Sequence, residues 1–237
     1  MRYHSSKNII NLCLAGHASS GKTSLAEALL FYSKATDRLG KISDGTTVCD
    51  FDPEEIKRKT SVCTAVAPFE WANNKINLID TPGLFDFEGE MCEGVKASDC
   101  VLITVSGKSG VTVGAEKAYR LAVANHKATA VFVGKLNSEH ADFYKVFESL
   151  KASFGPSVCP IVVPYVENHK VLCYIHLIDM KAYAYENGVA KEVPIPDMGH
   201  RLEGLIAAVS EAVAETDEAL MEKYFSGEEF TRDELIK

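Results

Sequence analysis

The sequence has no run of 18 consecutive apolar residues, no excess of positive charge and no metal-binding spacing of its cysteines. The first absence excludes an ordinary membrane-spanning helix. With 25 Lys and Arg against 33 Asp and Glu, the formal net charge is −8, which disfavours tight non-specific binding to nucleic acid because such binding depends on basic side chains neutralising phosphates. The seven cysteines are odd in number and form no C-x-x-C pair, so we expect the reduced thiols of a cytoplasmic protein.

Apolar segments alternate with helical patterns through the first two thirds of the chain. Strands are predicted over the apolar segments 8–16, 62–71, 75–80, 99–107 and 128–136. Helices are predicted over 22–33, 113–126 and 141–155. Asn73-Asn74 predicts a hairpin turn between the second and third strands. This alternation favours an α/β fold with a mostly parallel central sheet flanked by helices.

The pattern changes after Gly155, which is expected to end the preceding helix. Short β-like segments and an Asn187-Gly188 turn follow, and then three helical segments. Thr216 is the expected cap of the second of these helices, and a Thr231–Glu234 capping box opens the third. The third helix has barely one turn before Lys237, which suggests that the sequence is a piece of a longer protein.

The segment LAGHASSGKTSL, residues 14–25, fits the pattern G-x-x-x-x-G-K-[ST] through Gly16, Gly21, Lys22 and Thr23. It stands between a predicted strand and a predicted helix, which is the context that a phosphate-binding loop requires. The loop N–H groups and the helix dipole are expected to face phosphate oxygens. Lys22 is expected to reach the β- and γ-phosphates, and the Thr23 hydroxyl to hold Mg²⁺.

The segment INLIDTPG, residues 76–83, places an acidic residue at the end of a buried apolar strand. A carboxylate at that point suits Mg²⁺, so Asp80 is a candidate ligand, directly or through water. Gly83 permits a backbone N–H to approach a γ-phosphate closely. Alone, Asp-Thr-Pro-Gly is compatible with a simple turn, but its position some 60 residues after the phosphate loop strengthens the functional interpretation.

Two further segments join the phosphate loop in a family resemblance. They are DFDPEEIKRKTSVCTAVAPFEWANNKINLIDTPG, residues 50–83, and VPIPDMGHRLEGLIAAVSEAVAETDEALMEKYF, residues 193–225. With them the chain resembles bacterial elongation factor G, and more closely its divergent elongation-factor-G-like paralogues, over essentially its whole length. The resemblance implies a P-loop GTP-binding domain over 1–156, lacking its last strand and helix, and an inserted α+β subdomain over 157–237, truncated at its end.

The resemblance also implies a function, cofactors and partners. Such proteins are cytoplasmic translational GTPases that bind GTP or GDP with Mg²⁺ and engage the ribosome as full-length molecules. No membrane contact and no sequence-specific nucleic-acid contact is expected from this fragment. The family's later backbone contact to guanine would lie past Lys237, so we expect the fragment alone to bind nucleotide weakly.

The family pattern assigns roles to matching residues. Magnesium would be held by Thr23, by Ser61 of the first switch segment and by Asp80. Lys22 is the catalytic lysine that the resemblance implies. Nucleotide-binding positions implied by the resemblance are Gly16, His17, Ala18, Ser19, Ser20, Gly21, Lys22, Thr23, Ser24, Asp80, Thr81, Pro82, Gly83, Gly134, Lys135 and Asn137.

The second switch departs from the family at Leu84, in DTPGLFDF. The family carries a histidine at this catalytic position, and that histidine positions the attacking water. An isobutyl group cannot hydrogen-bond a water, and orienting interactions of this type contribute orders of magnitude in rate. The sequence predicts slow hydrolysis even with a ribosome present, unless another residue or the backbone takes over the role.

The segment VGKLN, residues 133–137, departs from the family's base-reading N-K-x-D. Lys135 matches, with its stem along the base, but Gly134 has no side chain to lock the loop. Asn137 offers one acceptor and one donor in place of a carboxylate that accepts two hydrogen bonds from guanine. The sequence predicts weakened guanine preference and better pairing with xanthine. Ser19 replaces an Asp of many translation factors, with the expected loss of a monovalent-cation ligand.

Three functional interpretations follow from these residues. The first is a GTPase module whose switches respond to nucleotide. The second is a non-enzymatic interaction module, descended from such a factor, and is favoured by Leu84, Gly134 and Asn137. The third, an ATPase with the same phosphate loop, is weaker because the second switch is of the GTPase type.

Overall fold

The computed structural model describes residues 4–167, 170–186 and 188–236. The chain divides into two compact units, Met1–Lys135 and Leu136–Lys237. The domain boundary expected between residues 156 and 157 stays a prediction.

The first unit is built on a five-stranded sheet with the order β2-β3-β1-β4-β5. Its strands are β1 (Ile9–Ala15), β2 (Ala65–Trp71), β3 (Asn74–Asp80), β4 (Cys100–Ser106) and β5 (Ala128–Gly134). All neighbours are parallel except the β2–β3 hairpin. The helices are α1 (Lys22–Tyr32), α2 (Pro53–Arg58), α3 (Glu88–Ala97) and α4 (Val113–Ala124), with 3₁₀ turns at Ser6–Asn8, Ile42–Asp44 and Phe85–Phe87. The predicted α/β class with a mostly parallel sheet is confirmed.

One cluster of the core of this unit lies between α1 and the sheet. Inward-facing residues alternate with exposed ones along β2, as expected for an edge strand with one buried face. Leu14 and Leu78 are fully buried on neighbouring strands. With them pack Ala26, Leu30, Cys49, Ala65, Ala67 and Phe69. This packing fixes the ends of β1 and β3 against the start of α1, which is where the candidate site lies.

The predicted turn between β2 and β3 is wrong by one residue. The hairpin turn is Ala72-Asn73, with φ of 46° and 63°, because β3 begins at Asn74 and leaves a two-residue turn of the left-handed type that hairpins favour. The segment 52–59 contains the short helix α2. Asp52 caps that helix and forms a capping box with Glu55, which stabilises even a short helix.

The second unit contains a four-stranded antiparallel sheet and four helices in its described residues. The α+β character predicted for residues 157–237 is confirmed. The antiparallel sheet has the order β6-β7-β8-β9. The strands are β6 (Val162–Glu167), β7 (Lys170–His176), β8 (Lys181–Glu186) and β9 (Val189–Val193). The helices are α5 (Phe143–Phe154), α6 (His200–Ala214), α7 (Glu218–Phe225) and α8 (Arg232–Ile236). None of the helices in the described ranges is long and apolar enough to cross a membrane.

The helix ends of the second unit test the capping predictions. Gly155 ends α5 with φ of 106°, as expected. The cap of α7 is Asp217, whose side chain accepts from the Ala219 N–H, whereas the Thr216 hydroxyl donates to the Val213 carbonyl of the preceding helix. The Thr231–Glu234 box is confirmed by reciprocal contacts of 2.7 and 3.4 Å. Asn187 of the predicted Asn187-Gly188 turn lies outside the described residues.

Candidate functional site

The predicted phosphate loop connects the end of β1 to the start of α1. Gly16, Ser19 and Gly21 all have positive φ, at 140°, 60° and 107°. A Cβ on Gly16 would lie 2.7 Å from the Thr104 carbonyl oxygen, so only glycine fits against β4 there. The Ser20 and Thr104 hydroxyls, both buried, are 2.6 Å apart. The loop is therefore held from behind by β4, which leaves its other side facing the cleft.

Lys22 points back into the loop from the first turn of α1. Its buried Nζ donates to the Gly16 carbonyl at 3.1 Å and to the His17 carbonyl at 2.9 Å. Burial lowers the pKa of this ammonium, while Asp80 and Asp50 act in the opposite direction. The phosphate loop thus fixes the Lys22 ammonium through these two carbonyl oxygens.

A cluster of oxygen atoms lies beside Thr23. The Thr23 hydroxyl donates to Asp80 Oδ2 at 2.7 Å and lies 3.2 Å from Ser61 Oγ. Ser61 in turn donates to Asp50 Oδ1 at 2.7 Å. The three residues predicted as magnesium ligands are therefore brought together, and Asp50 joins them.

This cluster fits a hard divalent cation. Asp80 is buried, and its Oδ1 has no hydrogen-bond partner among the described residues. A buried carboxylate oxygen without a partner is costly unless an ion or ligand completes it. Carboxylate and hydroxyl oxygens are also the protein ligands that suit Mg²⁺, which keeps its remaining positions for water and phosphate. The described residues contain no group of three or more His, Cys, Asp or Glu side chains arranged for a metal.

The electrostatics of Asp80 follow from its burial. Desolvation raises the pKa of its carboxyl from 3.8 to about 7, opposed by the Thr23 hydrogen bond and by the charge of Lys22. Asp50 adds to the rise through like charge. The pKa of Asp50 is itself raised, mainly by burial. Two acids in one cluster disfavour joint ionisation until a cation arrives.

The second switch begins immediately after Asp80. The Thr81 hydroxyl and N–H both reach the Leu14 carbonyl, at 2.7 and 3.3 Å, so this residue holds β3 against β1 and is itself fully buried. A Cβ on Gly83 would lie 2.6 Å from the Ala18 N–H nitrogen and would also meet Lys22 Nζ. Gly83 therefore brings its backbone against the phosphate loop as a side-chain-bearing residue could not.

Leu84 follows Gly83 and precedes the 3₁₀ turn Phe85–Phe87. Its side chain is 37% exposed and lines the cleft. The ring of His17 packs instead on Phe85, with centroids 5.5 Å apart. His17 Nδ1 is buried without a hydrogen-bond partner in the described part of the chain. An apolar group therefore occupies the position where the family pattern places a histidine.

Of the predicted base-reading residues, Gly134 and Lys135 belong to the first unit and Asn137 belongs to the second. Lys135 Nζ donates to the Ser19 carbonyl at 2.6 Å, and its stem lies 4.0 Å from the position of a Cβ on Gly21. The Gly134 carbonyl accepts from Gly107 at 2.7 Å, which ties the end of β5 to the loop after β4. Asn137 lies in a turn at the start of the second unit.

These elements surround a cleft of about 250 Å³ in the first unit. Its lining includes most of the predicted loop and switch residues, and also four residues that were not predicted, Ile42, Asp50, Lys59 and Thr60. The full lining is Ala18, Ser19, Gly21, Lys22, Thr23, Ser24, Ile42, Asp50, Lys59, Thr60, Ser61, Gly83, Leu84 and Lys135. Gly16 and Pro82 border a smaller space beside Leu84 and Phe85. The Ser20 side chain bonds to β4 and is absent from this lining.

Sequence reasoning missed two glutamates, Glu27 and Glu55, whose side chains hold backbone N–H groups elsewhere in the first unit. Buried Glu27 accepts from the Gly40 and Val48 N–H groups at 3.0 and 2.6 Å. Buried Glu55 accepts from the Val62 and Cys63 N–H groups at 2.9 and 3.0 Å. The sequence carries no clear signal for these contacts, because the burial of both glutamates follows from the tertiary structure.

Comparison with known proteins agrees with this geometry. Residues 7–230 match the family described as the elongation factor Tu GTP binding domain. An elongation factor G-like protein of Mycobacterium tuberculosis, from strains CDC 1551 and H37Rv alike, is 34% identical over 230 residues, covering 96% of this chain and 32% of the relative. A crystal structure from Thermus thermophilus superposes with a TM-score of 0.89 at 40% identity, covering 96% of this chain and 34% of that one. The chain thus spans about a third of the length of these relatives.

Asp80→Asn provides a test of the buried carboxyl. The folded state of the nucleotide-free protein holds the Asp80 proton more tightly than the unfolded state, since the folded pKa is about 7 against 3.8. Its stability therefore falls as pH rises through this window and levels off above it. Relative to Asp80→Asn, we expect the unsubstituted protein to lose about 1–3 kcal/mol of unfolding free energy between pH 4.5 and 7.5, measured by urea denaturation without magnesium. Asp86→Asn, at an exposed position, is the control and should show no such difference. Parallel pH profiles for the protein and Asp80→Asn would contradict the assignment.

Proposed function

Because this chain belongs to the family of elongation factor Tu-type GTP-binding domains, we propose that it is the GTP-binding module of an elongation factor G-like translation factor. In this proposal it binds Mg²⁺-GTP and GDP in the cleft beside Thr23. The observation that carries the proposal is the buried Thr23–Asp80 contact of 2.7 Å, with one Asp80 oxygen unpartnered among the described residues and Lys22 beside it.

Each part of the cleft has a place in the proposal. The N–H groups of the loop, together with Lys22, hold the β- and γ-phosphates. Thr23, Ser61 and Asp80 hold Mg²⁺, directly or through water. The magnesium, when bound, neutralises phosphate charge. Gly83 brings a backbone N–H to the terminal phosphate, and Lys135 lies along the base.

Hydrolysis is proposed to be slow because Leu84 offers no hydrogen bond to a water. The leucine lines the cleft, and the imidazole of His17 packs on Phe85 instead of entering the cleft lining. Positioning a nucleophile contributes several orders of magnitude to phosphoryl transfer. The module therefore keeps the nucleoside triphosphate state for longer than a factor with histidine at this position.

Guanine preference is proposed to be weak because Asn137 replaces a carboxylate. A site that accepts two hydrogen bonds rejects an analogue strongly, whereas an amide that presents one donor to a base donor loses that discrimination. Gly134 adds to the loss because it has no side chain to lock the base-reading loop. Only its backbone carbonyl is held among the described contacts, by the Gly107 N–H at 2.7 Å.

The proposal extends to the longer protein. There, the nucleotide state of residues 1–156 would control engagement of the ribosome in the cytoplasm, and residues 157–237 would form the inserted subdomain. A second candidate function is a non-hydrolysing interaction module with the same ancestry. The exposed apolar side chain of Leu84 in the cleft favours it.

Thr23→Ala tests the proposed magnesium site. We expect the affinity for GTP in millimolar Mg²⁺ to fall at least about tenfold, because one ligand and the partner of Asp80 are both lost. In EDTA the variant and the unsubstituted protein should bind GTP about equally. Isothermal titration calorimetry of the intact factor measures both conditions, with Thr36→Ala as the control because, within the described ranges, its hydroxyl bonds to the Arg38 carbonyl alone. Equal losses with and without magnesium would argue against a metal role for Thr23.

Leu84→His tests the proposed cause of slow turnover. In the intact factor with ribosomes, we expect the single-turnover rate of GTP hydrolysis to rise at least about tenfold, since an imidazole can orient the attacking water. Leu84→Ala is the matched control, because it removes the isobutyl group without adding a hydrogen-bonding group. If the unsubstituted factor already hydrolyses GTP at the rate of an ordinary elongation factor G, the proposed role of Leu84 is wrong.

Asn137→Asp tests the proposed base specificity. The carboxylate should restore two charge-assisted acceptors toward guanine, so we expect the ratio of GTP to xanthosine triphosphate affinity to rise by about 10–100-fold. Competition against a fluorescent nucleotide gives both affinities in one assay. Strong rejection of xanthosine triphosphate by the unsubstituted protein would contradict the proposal.

A further inference from the structure

Lys59 stands at an unusual place in the first unit. It is the residue at the C-terminal end of α2, with φ of 53° and ψ of 42°. This is the left-handed conformation, which residues other than glycine adopt at a cost of about 1–2 kcal/mol. Its side chain is exposed and lines the cleft beside Ser61, Gly83 and Leu84.

Buried Glu55 imposes this conformation. The backbone N–H groups of Lys59 and Thr60 both bond to the Glu55 carbonyl. The Glu55 carboxylate then holds the N–H groups of Val62 and Cys63. The chain must reverse direction between these two sets of contacts, and the reversal falls on residue 59.

Folding alone would favour glycine at this position, since glycine adopts positive φ without a Cβ penalty. Lys59 is one of nine non-glycine residues with positive φ among the described residues, so what sets it apart from most of them is that it lines the cleft. Non-glycine residues held in strained backbone regions cluster at ligand-binding and switch sites.

The ammonium of Lys59 forms no hydrogen bond or ion pair with another described residue. Its neighbour Arg58 pairs with Glu54 at 2.6 Å, but Lys59 forms no ion pair among the described residues. The charged residues of the cleft lining are Lys22, Lys59 and Lys135 against the single acid Asp50. Lys22 and Lys135 are both bonded to loop carbonyls, so Lys59 is the lining lysine whose ammonium has no recorded bond within the described chain.

The reach of Lys59 includes the region of the terminal phosphate. Ser61 lies two residues further along the chain and is fixed 3.2 Å from the Thr23 hydroxyl. Two residues span at most about 7 Å, and a lysine side chain extends about 6 Å beyond its own Cα. The ammonium can therefore approach the space in front of Gly83 and Lys22.

We propose that Lys59 is the residue with which this chain distinguishes nucleoside triphosphates from diphosphates. Its ammonium contacts the terminal phosphate from the first switch segment, opposite Lys22. A diphosphate does not extend to that position and gains nothing from the contact. This role rests on the proposed function, since it requires a nucleotide in the cleft.

Lys59→Gln removes the charge and keeps the side-chain length. We expect the dissociation constant for a non-hydrolysable GTP analogue with Mg²⁺ to rise about tenfold, because a charge-assisted phosphate contact is lost. The value for GDP should change less than twofold. Calorimetric titration at low salt measures both, and the selective loss should shrink at 0.5 M salt.

Two further variants separate this role from damage to the fold. Lys57→Gln removes an equally exposed lysine of α2 that does not line the cleft, and it should leave both dissociation constants unchanged. Lys59→Gly relieves the backbone strain, so it should melt at the same temperature as the unsubstituted protein or higher, yet show the same selective loss as Lys59→Gln.

The outcomes distinguish two failures. These titrations use the intact factor, because the fragment alone is expected to bind nucleotide weakly. If the unsubstituted intact factor binds neither nucleotide, the proposed function fails and the role of Lys59 fails with it. If it binds both nucleotides while Lys59→Gln and Lys59→Gly alter neither affinity, or alter both equally, only the role of Lys59 is overturned.

Discussion

The buried hydrogen bond from Thr23 to Asp80 is the contact on which the arrangement of the cleft depends. It joins the first turn of α1 to the end of β3, and the parallel register that pairs Leu14 with Asp80 places the two residues at the same edge of the sheet. Because the carboxyl ends of adjacent parallel strands meet there, the phosphate loop and the second switch emerge side by side. The cost of burying Asp80 is what makes a cation favourable at this point, since a divalent ion replaces the water that the carboxylate has lost.

Buried carboxylates also organise the first switch segment. Glu27 and Glu55 are buried and each accept two backbone N–H groups of residues between 40 and 63, while half-buried Glu90 accepts the Thr64 N–H. Several N–H donors on one side-chain acceptor in a dry environment hold a segment firmly. These contacts bring Ser61 to Thr23 and set Lys59 at the cleft. The segment is thus positioned by Glu55 of its own helix and by Glu27 of α1 and Glu90 of α3, and the positive φ of Lys59 is a consequence of that arrangement.

The sequence was sufficient for features that depend on local pattern. The strand–loop–helix context of Gly16 to Thr23 identifies the phosphate loop, and strand alternation gives the parallel sheet, since both depend on residues close together in the chain. Asp50 and Lys59 could not be predicted, because tertiary contacts made by Ser61 and Glu55 bring them to the cleft. Errors of one residue arose where neighbours compete for one role. Thr216 and Asp217 both have side-chain oxygens that can cap a helix. The Thr216 hydroxyl donates to a carbonyl of the preceding helix, so Asp217 caps α7.

The central claim is that the oxygen cluster around Thr23 and Asp80 is a divalent-cation site. Crystals soaked with Mn²⁺ and a non-hydrolysable GTP analogue test it directly, because anomalous scattering locates manganese independently of the protein density. The account predicts one strong peak about 2.0–2.3 Å from Thr23 Oγ1, with Asp80 bound to the metal or to one of its waters. The Thr23 hydroxyl can keep donating to Asp80 while its oxygen binds the metal, so the position of the peak decides the test. A peak elsewhere, or no peak beside Thr23 in nucleotide-bound crystals, would contradict it.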